Sequence, residues 1–203
     1  AERILGNSLT MLLCAAVVLT ISFSIFKEPL LMAFGASEDT IGYGLDYIGI
    51  YLLGTLFVQL ALGLNTFISA QGKATVAMLS VLIGAILNIV LDPIFIFLFD
   101  LGVRGAAIAT VFSQAVSAAW VFFFLCSRRS GLRIRKENLR LRADTAGRIA
   151  GLGVAPFIMQ STESLVTVVL NTGMQTFGGA MGDLYVGSIT IMQSIMQMIV
   201  MPT

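Results

Sequence analysis

Length, composition and charge place this 203-residue chain in a membrane. Hydrophobic residues make up 57% of it and charged residues 11%, and the mean hydropathy is +0.94. Soluble domains carry about a quarter charged residues, so a disordered segment, a nucleic-acid-binding domain and a water-soluble enzyme are excluded. The sequence contains no histidine, which excludes an imidazole proton relay and a histidine-ligated metal within these residues.

Six apolar runs are long enough to cross a membrane, which takes about 20 residues for roughly 30 Å of hydrocarbon. The predicted spans are 7–26, 47–70, 75–99, 105–125, 149–177, and a sixth that begins near Leu184. Lys27, Glu28 and Pro29 are expected to end the first span. The predicted fold class is therefore an all-α integral membrane protein, a polytopic bundle of about six transmembrane helices. Because the last run has no stop signal, we expect an internal fragment of a longer protein.

Positive charges predict the orientation of these spans. If the spans alternate in direction, one side holds ten Lys and Arg side chains and the other holds Lys27 and Arg104. The ten are Arg3, Lys73, Arg128, Arg129, Arg133, Arg135, Lys136, Arg140, Arg142 and Arg148. The positive-inside rule then places residue 1 and segment 128–148 in the cytoplasm.

Segment 128–148 is the one long polar connection in the sequence. We interpret it as a topogenic loop that joins two bundles. Its basic side chains would also attract anionic membrane lipids. Nucleic-acid binding is not expected, because no aromatic residue is interleaved with the basic ones. The predicted domains are residues 1–127 with four spans, the basic loop 128–148, and residues 149–203 with two spans.

Two acids fall inside the predicted spans, where a charge costs about 2.5–3.5 kcal/mol on insertion scales. They are Asp92 and Glu163, and the spans contain no Lys or Arg to pair with them. Each acid must be protonated, hydrogen-bonded, hydrated in a cavity or paired with a bound cation. Proton or Na⁺ exchange is a natural use of such groups.

The surroundings of Asp92 indicate a cation site. Asn88 lies one helical turn earlier on the same face, and Pro93 is expected to disturb helical geometry at Asp92 and bend the helix there. Carboxylate, amide and a freed carbonyl would then converge as oxygen ligands. Thr110 of the next span can reach Asp92 if the two spans pack antiparallel. The alternative is a proline kink whose buried acid bonds a neighbouring helix.

Glu163 belongs to a polar stripe at helical spacing. The stripe consists of Gln160, Glu163, Thr167, Asn171 and Gln175. It indicates a helix face turned to water or ligand, with helix–helix bonding as the alternative. In the last span Gln193 and Gln197 lie one turn apart beside methionines, which suggests an adaptable cavity lining.

Several motifs resemble the multidrug and toxic compound extrusion (MATE) family. In the first four spans they are AQGK at 70–73, IGAILNIVLDPIFIF at 83–97 and GVRGAAIAT at 102–110, followed by Ser113 and Gln114. PFIMQSTE at 156–163 and LYVG at 184–187 resemble the start of the second lobe in bacterial members. The resemblance implies twelve helices in two lobes, of which this chain would be the third to the eighth.

The resemblance also implies a function and a set of site residues. It implies a bacterial inner-membrane antiporter that exports cationic or amphipathic drugs by alternating access, coupled to H⁺ or Na⁺, with no other cofactor. Asp92, Asn88 and Thr110 match the family's first-lobe cation site, a possible Na⁺ site. Glu163 resembles an acid of the other lobe, and Asn65 matches an asparagine that faces the drug cavity. The expected cavity residues are Asn65, Gln160, Thr167, Asn171 and Gln193.

The expected partners are small drug-like cations, membrane lipid and the remaining transmembrane helices of the parent protein. Two alternatives stay open at this stage. A lipid-linked-precursor flippase of the same superfamily would need a more basic cavity to hold pyrophosphate, and the spans contain no Lys or Arg. A non-transporting membrane scaffold would tolerate leucine at both Asp92 and Glu163. No motif supports an enzyme.

Overall fold

The computed structural model describes residues 2–127, 130–134 and 136–200. Ala1, Arg128, Arg129 and Arg135 of the orientation argument lie outside this description, as do the side chains of Lys136 and Gln197. The described residues form six α-helices and no strand: α1 (Glu2–Ala33), α2 (Ile41–Ala70), α3 (Ala74–Pro93), α4 (Gly102–Cys126), α5 (Ala143–Phe177) and α6 (Gly182–Val200). The predicted all-α class is confirmed.

Five of these helices are long and apolar enough to cross a membrane. They are α1, α2, α3 with the turn that follows it, α4 and α5. Large apolar side chains on them point outward, as Leu53 (73% exposed) and Phe97 (78% exposed) do, which is the surface that lipid requires. The sixth predicted span coincides with α6, which is not among the five, and its crossing of the membrane stays a prediction.

The predicted end of the first span coincides with a kink in α1. The helix continues to Ala33, and its irregularity lies at Phe26, where φ is −103° and ψ is 16°. Proline lacks an N–H donor, and its ring collides with the carbonyl four residues earlier. For Pro29 that carbonyl belongs to Ile25, so the backbone changes direction at the next residue and the helix then resumes.

The disturbance that was expected at Asp92 lies further along the chain, after Pro93. Helix α3 stays α-helical through Pro93, and residues Ile94–Leu98 form a π-helical turn. The N–H of Phe99 donates to the carbonyl of Ile94 at 3.0 Å, five residues back. Pro93 offers no donor to the α-helical ladder, and a wider turn re-forms the hydrogen-bonded backbone after it. Asp92 therefore stays on the regular helical face it shares with Asn88.

The described chain divides into two compact units. Unit 1 comprises Ala1–Ile25 and Asp46–Val154, and unit 2 comprises Phe26–Leu45 and Ala155–Thr203. The division cuts α1 beside its kink and passes through α2 and α5. It therefore concerns how helix segments pack in this chain, and the predicted lobes 1–127 and 149–203 stay a prediction.

Described residues of the basic segment pack against the helices of unit 1, the unit to which the segment itself belongs. Its Leu132, Ile134 and Leu139 contact a core cluster built from buried residues of α1 to α4. The side-chain oxygen of Gln71 accepts hydrogen bonds from the backbone N–H groups of Gly131 (2.8 Å) and Leu132 (3.1 Å). The last six residues of predicted loop 128–148 already belong to α5.

These contacts bring the beginning of α1, the α2–α3 turn and the basic segment to one end of unit 1. Thr10 of α1 donates to the carbonyl of Leu139 at 2.7 Å, and Gln71 lies at the α2–α3 turn. Spans that alternate in direction require this arrangement. That this end faces the cytoplasm stays a prediction.

Glycine at position 105 lets α4 approach the π-helical turn. A Cβ atom there would lie 2.6 Å from the carbonyl oxygen of Phe95 and 2.7 Å from its carbon. Because both are backbone atoms, we expect Gly105→Ala to destabilise the complete protein by about 1–3 kcal/mol, seen as a lower thermal unfolding midpoint in detergent. Gly151 of α5 has no atom within 4 Å of such a Cβ, so Gly151→Ala is the matched control. Equal unfolding midpoints for the two variants would contradict the close approach.

Candidate functional site

Asp92, Asn88 and Thr110 come together where α3 packs against α4. The side-chain N–H of Asn88 donates to Asp92 Oδ1 at 3.1 Å and to Thr110 Oγ1 at 3.4 Å. The Thr110 hydroxyl donates to the carbonyl of Ala106 at 2.9 Å, one turn back on α4. All three side chains are half-buried. The predicted trio therefore forms a connected group, with Asn88 as the link between the acid and α4.

The hydrogen bonding of this trio limits its chemistry. Asn88 presents its amide nitrogen to Asp92, so the carboxylate has a donor as its neighbour and not a second oxygen ligand. Within the described residues Asp92 forms no ion pair, and no group of three acidic or cysteine side chains forms a metal site. The arrangement is that of a hydrogen-bonded carboxylate. A cation held by oxygens would require the amide of Asn88 to turn over.

A cavity of about 170 Å³ adjoins the trio. Its polar lining consists of Asn88, Thr110, Ser113, Gln114 and Ser117, and its apolar lining comes from α2 and α3. The volume accommodates several water molecules at about 30 Å³ each and lies below the roughly 300–1,000 Å³ of drug-sized sites. The cavity therefore suits water or a small cation rather than a drug.

Ser113 and Ser117 play different parts in this region. Ser117 donates to the carbonyl of Ser80 at 2.8 Å, and a Cβ at Gly84 would lie 3.3 Å from that of Ser117, so it belongs to α3–α4 packing. Ser113 is 2% exposed, and among the described residues its hydroxyl has no hydrogen-bond partner. A buried unpaired hydroxyl that lines a cavity is a group in need of water or a ligand.

Asn65 is tied to α3. Its side-chain N–H donates to the carbonyl of Ala77 at 3.3 Å, and its Oδ1 accepts from the hydroxyl of Ser80 at 3.1 Å. Both ends of the amide thus join α2 to α3. Asn65 is not among the residues that line the 170 Å³ cavity, and its role toward a drug stays a prediction.

The Glu163 stripe lies along α5 in unit 2. Gln160 donates to Glu163 Oε2 at 3.3 Å, and the hydroxyl of Thr167 donates to the backbone carbonyl of Glu163 at 3.0 Å. Gln160 and Glu163 are exposed, whereas Thr167 and Asn171 are half-buried. Gln193 is half-buried on α6. Asp92 and Glu163 lie in different compact units.

Unit 2 also contains a polar cluster that sequence reasoning missed. Asp183, in the first turn of α6, accepts from the hydroxyl of Ser37 at Oδ2 (3.0 Å) and from Gln175 at Oδ1 (3.0 Å). Thr172 of α5 donates to the carbonyl of Ala33 at 2.9 Å. We call Ser37, Thr172, Gln175 and Asp183 the turn cluster. It joins residues up to 146 positions apart, so no helical periodicity signals it.

Comparisons with known proteins agree with this architecture. The sequence model described as MatE matches residues 1–94. The multidrug export protein MepA of Staphylococcus haemolyticus is 29% identical over 153 residues, which cover 75% of this chain and 34% of that protein. The chain thus spans about a third of the length of the curated relatives it matches.

Solved structures match nearly the whole chain. A chain named protein A superposes with a TM-score of 0.91 at 36% identity, over 99% of this chain and 44% of the other. The inward-facing conformation of a multidrug resistance MATE family transporter superposes with a TM-score of 0.86 at 27% identity, over 97% and 45%. Sequence, helix arrangement and intramembrane acids lead to one conclusion: the chain is a multi-pass membrane protein that is similar to MATE transporters over nearly its whole length.

Proposed function

We propose that the complete protein exports cationic or amphipathic compounds in exchange for H⁺ or Na⁺ by alternating access. The observation that carries this proposal is Asp92, an acid within a membrane-spanning helix that has an amide donor and no cationic partner among the described residues. An acid in that setting costs stability and is by default a functional-site candidate, and exchange of a cation is the function that fits it. The adjoining cavity provides the space that water or the cation requires.

The two coupling ions would use the trio differently. A proton on Asp92 would remove its negative charge and turn the carboxyl into a donor, which would weaken the hydrogen bond from the Asn88 N–H. The link from Asp92 through Asn88 to Thr110 would then loosen. A Na⁺ ion would instead recruit oxygens, which requires the Asn88 amide to turn so that its Oδ1 joins Asp92 and Thr110. Either change acts on the contact between α3 and α4.

The proposed substrates follow from the relatives and from charge. The curated relatives are named multidrug export proteins, and the exposed acid Glu163 offers a cationic compound an attractive face on α5 together with Gln160. Thr167, Asn171 and Gln193 are proposed to complete that lining. The one basic side chain in the first turn of α4, Arg104, is exposed and paired with Asp46 at 2.8 Å, so it supplies no pyrophosphate site of the kind a flippase needs.

We further propose that the protein lies in a bacterial inner membrane with residue 1 and segment 128–148 in the cytoplasm. If the spans alternate in direction, the α1–α2 turn, and with it the turn cluster, would then lie on the external side. Its contacts join the α1–α2 turn to α5 and α6, and closing that side is what an inward-facing state requires. Opening it would demand that these hydrogen bonds break.

Flux measurements on the complete protein in proteoliposomes test the proposed exchange. We expect an imposed H⁺ or Na⁺ gradient to drive uphill movement of ethidium, and dissipation of that gradient to abolish it. Liposomes without protein serve as the control for passive leak. Ethidium accumulation that ignores both gradients would contradict cation coupling, and the absence of any gradient-driven ethidium movement would contradict drug export.

A further inference from the structure

A second cavity lies where α1 begins, in unit 1. It has a volume of about 490 Å³ and is bordered by α1 and by the end of the basic segment. Three arginines line it, Arg3, Arg140 and Arg142, together with one acid, Glu137. The lining therefore carries a net charge of +2, three positive charges less one negative charge. The transport site described above does not use this cavity.

The arginines are mounted on a fixed backbone. Asn7 is 1% exposed, and its Oδ1 accepts from the backbone N–H of Arg142 at 2.8 Å while its N–H group donates to the carbonyl of Asn138 at 3.5 Å. Gly6 permits this close approach, because a Cβ there would lie 2.7 Å from the carbonyl carbon of Asn138. The backbone that carries Arg140 and Arg142 is thus held against α1 before any ligand arrives.

The guanidinium groups are available for an anion. In the described part of the chain no carboxylate forms an ion pair with Arg3, Arg140 or Arg142, and all three side chains are exposed. Arginine is suited to phosphate, because its planar fork of donors matches two phosphate oxygens at once. Three such groups around one cavity provide a site for a singly or doubly charged phosphate.

The position of the cavity identifies the source of the phosphate. Arg3 lies in the first turn of α1, and Arg142 immediately precedes α5. Both helices are long and apolar enough to span a membrane, so their first turns lie at the level of the lipid headgroups. We propose that this cavity binds the headgroup phosphate of an anionic phospholipid. The bound lipid would clamp the beginning of α1 to the segment that leads into α5.

Lipid binding to the complete protein tests this proposal. The probes are phosphatidylglycerol and phosphatidylcholine, titrated into detergent-solubilised protein and counted by native mass spectrometry. We expect phosphatidylglycerol to bind preferentially, and the double variant Arg140→Gln/Arg142→Gln to weaken its binding roughly 25-fold, at about fivefold per basic side chain. Arg148→Gln is the matched control, because Arg148 is exposed on α5 and lies outside the cavity lining. It should leave the binding within about twofold of the parent protein.

Three results would overturn the proposal. A roughly fivefold weakening by Arg148→Gln, which is the same loss per basic side chain as in the double variant, would show diffuse attraction to the basic segment and no defined site. Equal binding of phosphatidylglycerol and phosphatidylcholine would show that the anionic headgroup is not recognised. Competition by inorganic phosphate at the same concentration as the lipid would assign the cavity to a free anion. The thermal unfolding midpoint of the double variant, measured alongside, should match the parent, because the replaced side chains are exposed.

Discussion

We expect gradient-driven export by the complete protein to be lost when asparagine replaces Asp92. Asparagine keeps the shape of the side chain and an oxygen that can accept from Asn88, so the α3–α4 contact survives. It cannot take up a proton and it carries no charge for Na⁺, so the coupling step is lost. We expect ethidium efflux driven by a pH or Na⁺ gradient to fall at least tenfold, which corresponds to about 1.4 kcal/mol or more.

Asp100→Asn is the matched control for this substitution. Asp100 lies eight residues further along, exposed in the turn between the π-helical turn and α4, with φ of 53°. Asparagine tolerates that left-handed conformation, so the same chemical change should leave both folding and efflux intact. Unchanged efflux with intact gradient coupling in Asp92→Asn would remove Asp92 from the mechanism. Equal losses in both variants would indicate a general effect of removing an acid.

Locking the turn cluster should stop transport. Ser37 and Asp183 come within 3.0 Å through their side-chain oxygens, so cysteines at both positions can be bridged by a short bifunctional thiol reagent. Cys14 and Cys126 are exposed free thiols and are replaced by alanine first. We expect bridging to reduce efflux more than tenfold, because alternating access would require the α1–α2 turn, which holds Ser37, to separate from the beginning of α6, which holds Asp183. Reductive release of a cleavable bridge should restore it.

A bridge within one helix provides the control for the reagent. Thr190 and Ser194 are exposed on α6 one turn apart, so cysteines there can be bridged without joining α6 to another helix. Efflux should persist in that variant at the level of the unbridged protein. Full efflux from a completely bridged Ser37→Cys/Asp183→Cys protein would show that these turns stay together throughout the transport cycle.

The features that sequence reasoning predicted depend on short stretches of chain. A span is recognisable because hydropathy summed over about 20 residues decides whether a helix can lie in lipid. The link between Asn88 and Asp92 is recognisable because residues four apart share a helix face. The proximity of Thr110 to Asp92 was predictable because a short connection favours antiparallel packing of neighbouring helices. Each of these inferences needs one helix, or two that are consecutive.

The feature that sequence reasoning misplaced depends on how a helix accommodates a proline. Pro93 was expected to disturb the helix at Asp92, yet the irregularity lies at Ile94–Leu98. The break beside Pro29 lies at Phe26, where the first span was predicted to end. A proline leaves one hydrogen bond unmade, and the chain can repair that loss on either side of the ring. Which side relaxes depends on what packs there, as the close contact of Gly105 with the π-helical turn illustrates.

The sequence by itself determined that the chain lies in a membrane and that Asp92 sits where lipid would not tolerate an unsupported charge, and it predicted that the helices alternate in direction. Tertiary structure decided which residues that are far apart in the sequence come into contact. It docked the basic segment on Asn7 and Gln71, and it closed the turn cluster through Asp183. The physical reason is the sequence distance over which each signal acts. Hydropathy and helical period act between residues that are close together in the sequence. A hydrogen bond between residues more than 100 positions apart exists only once the helices have packed.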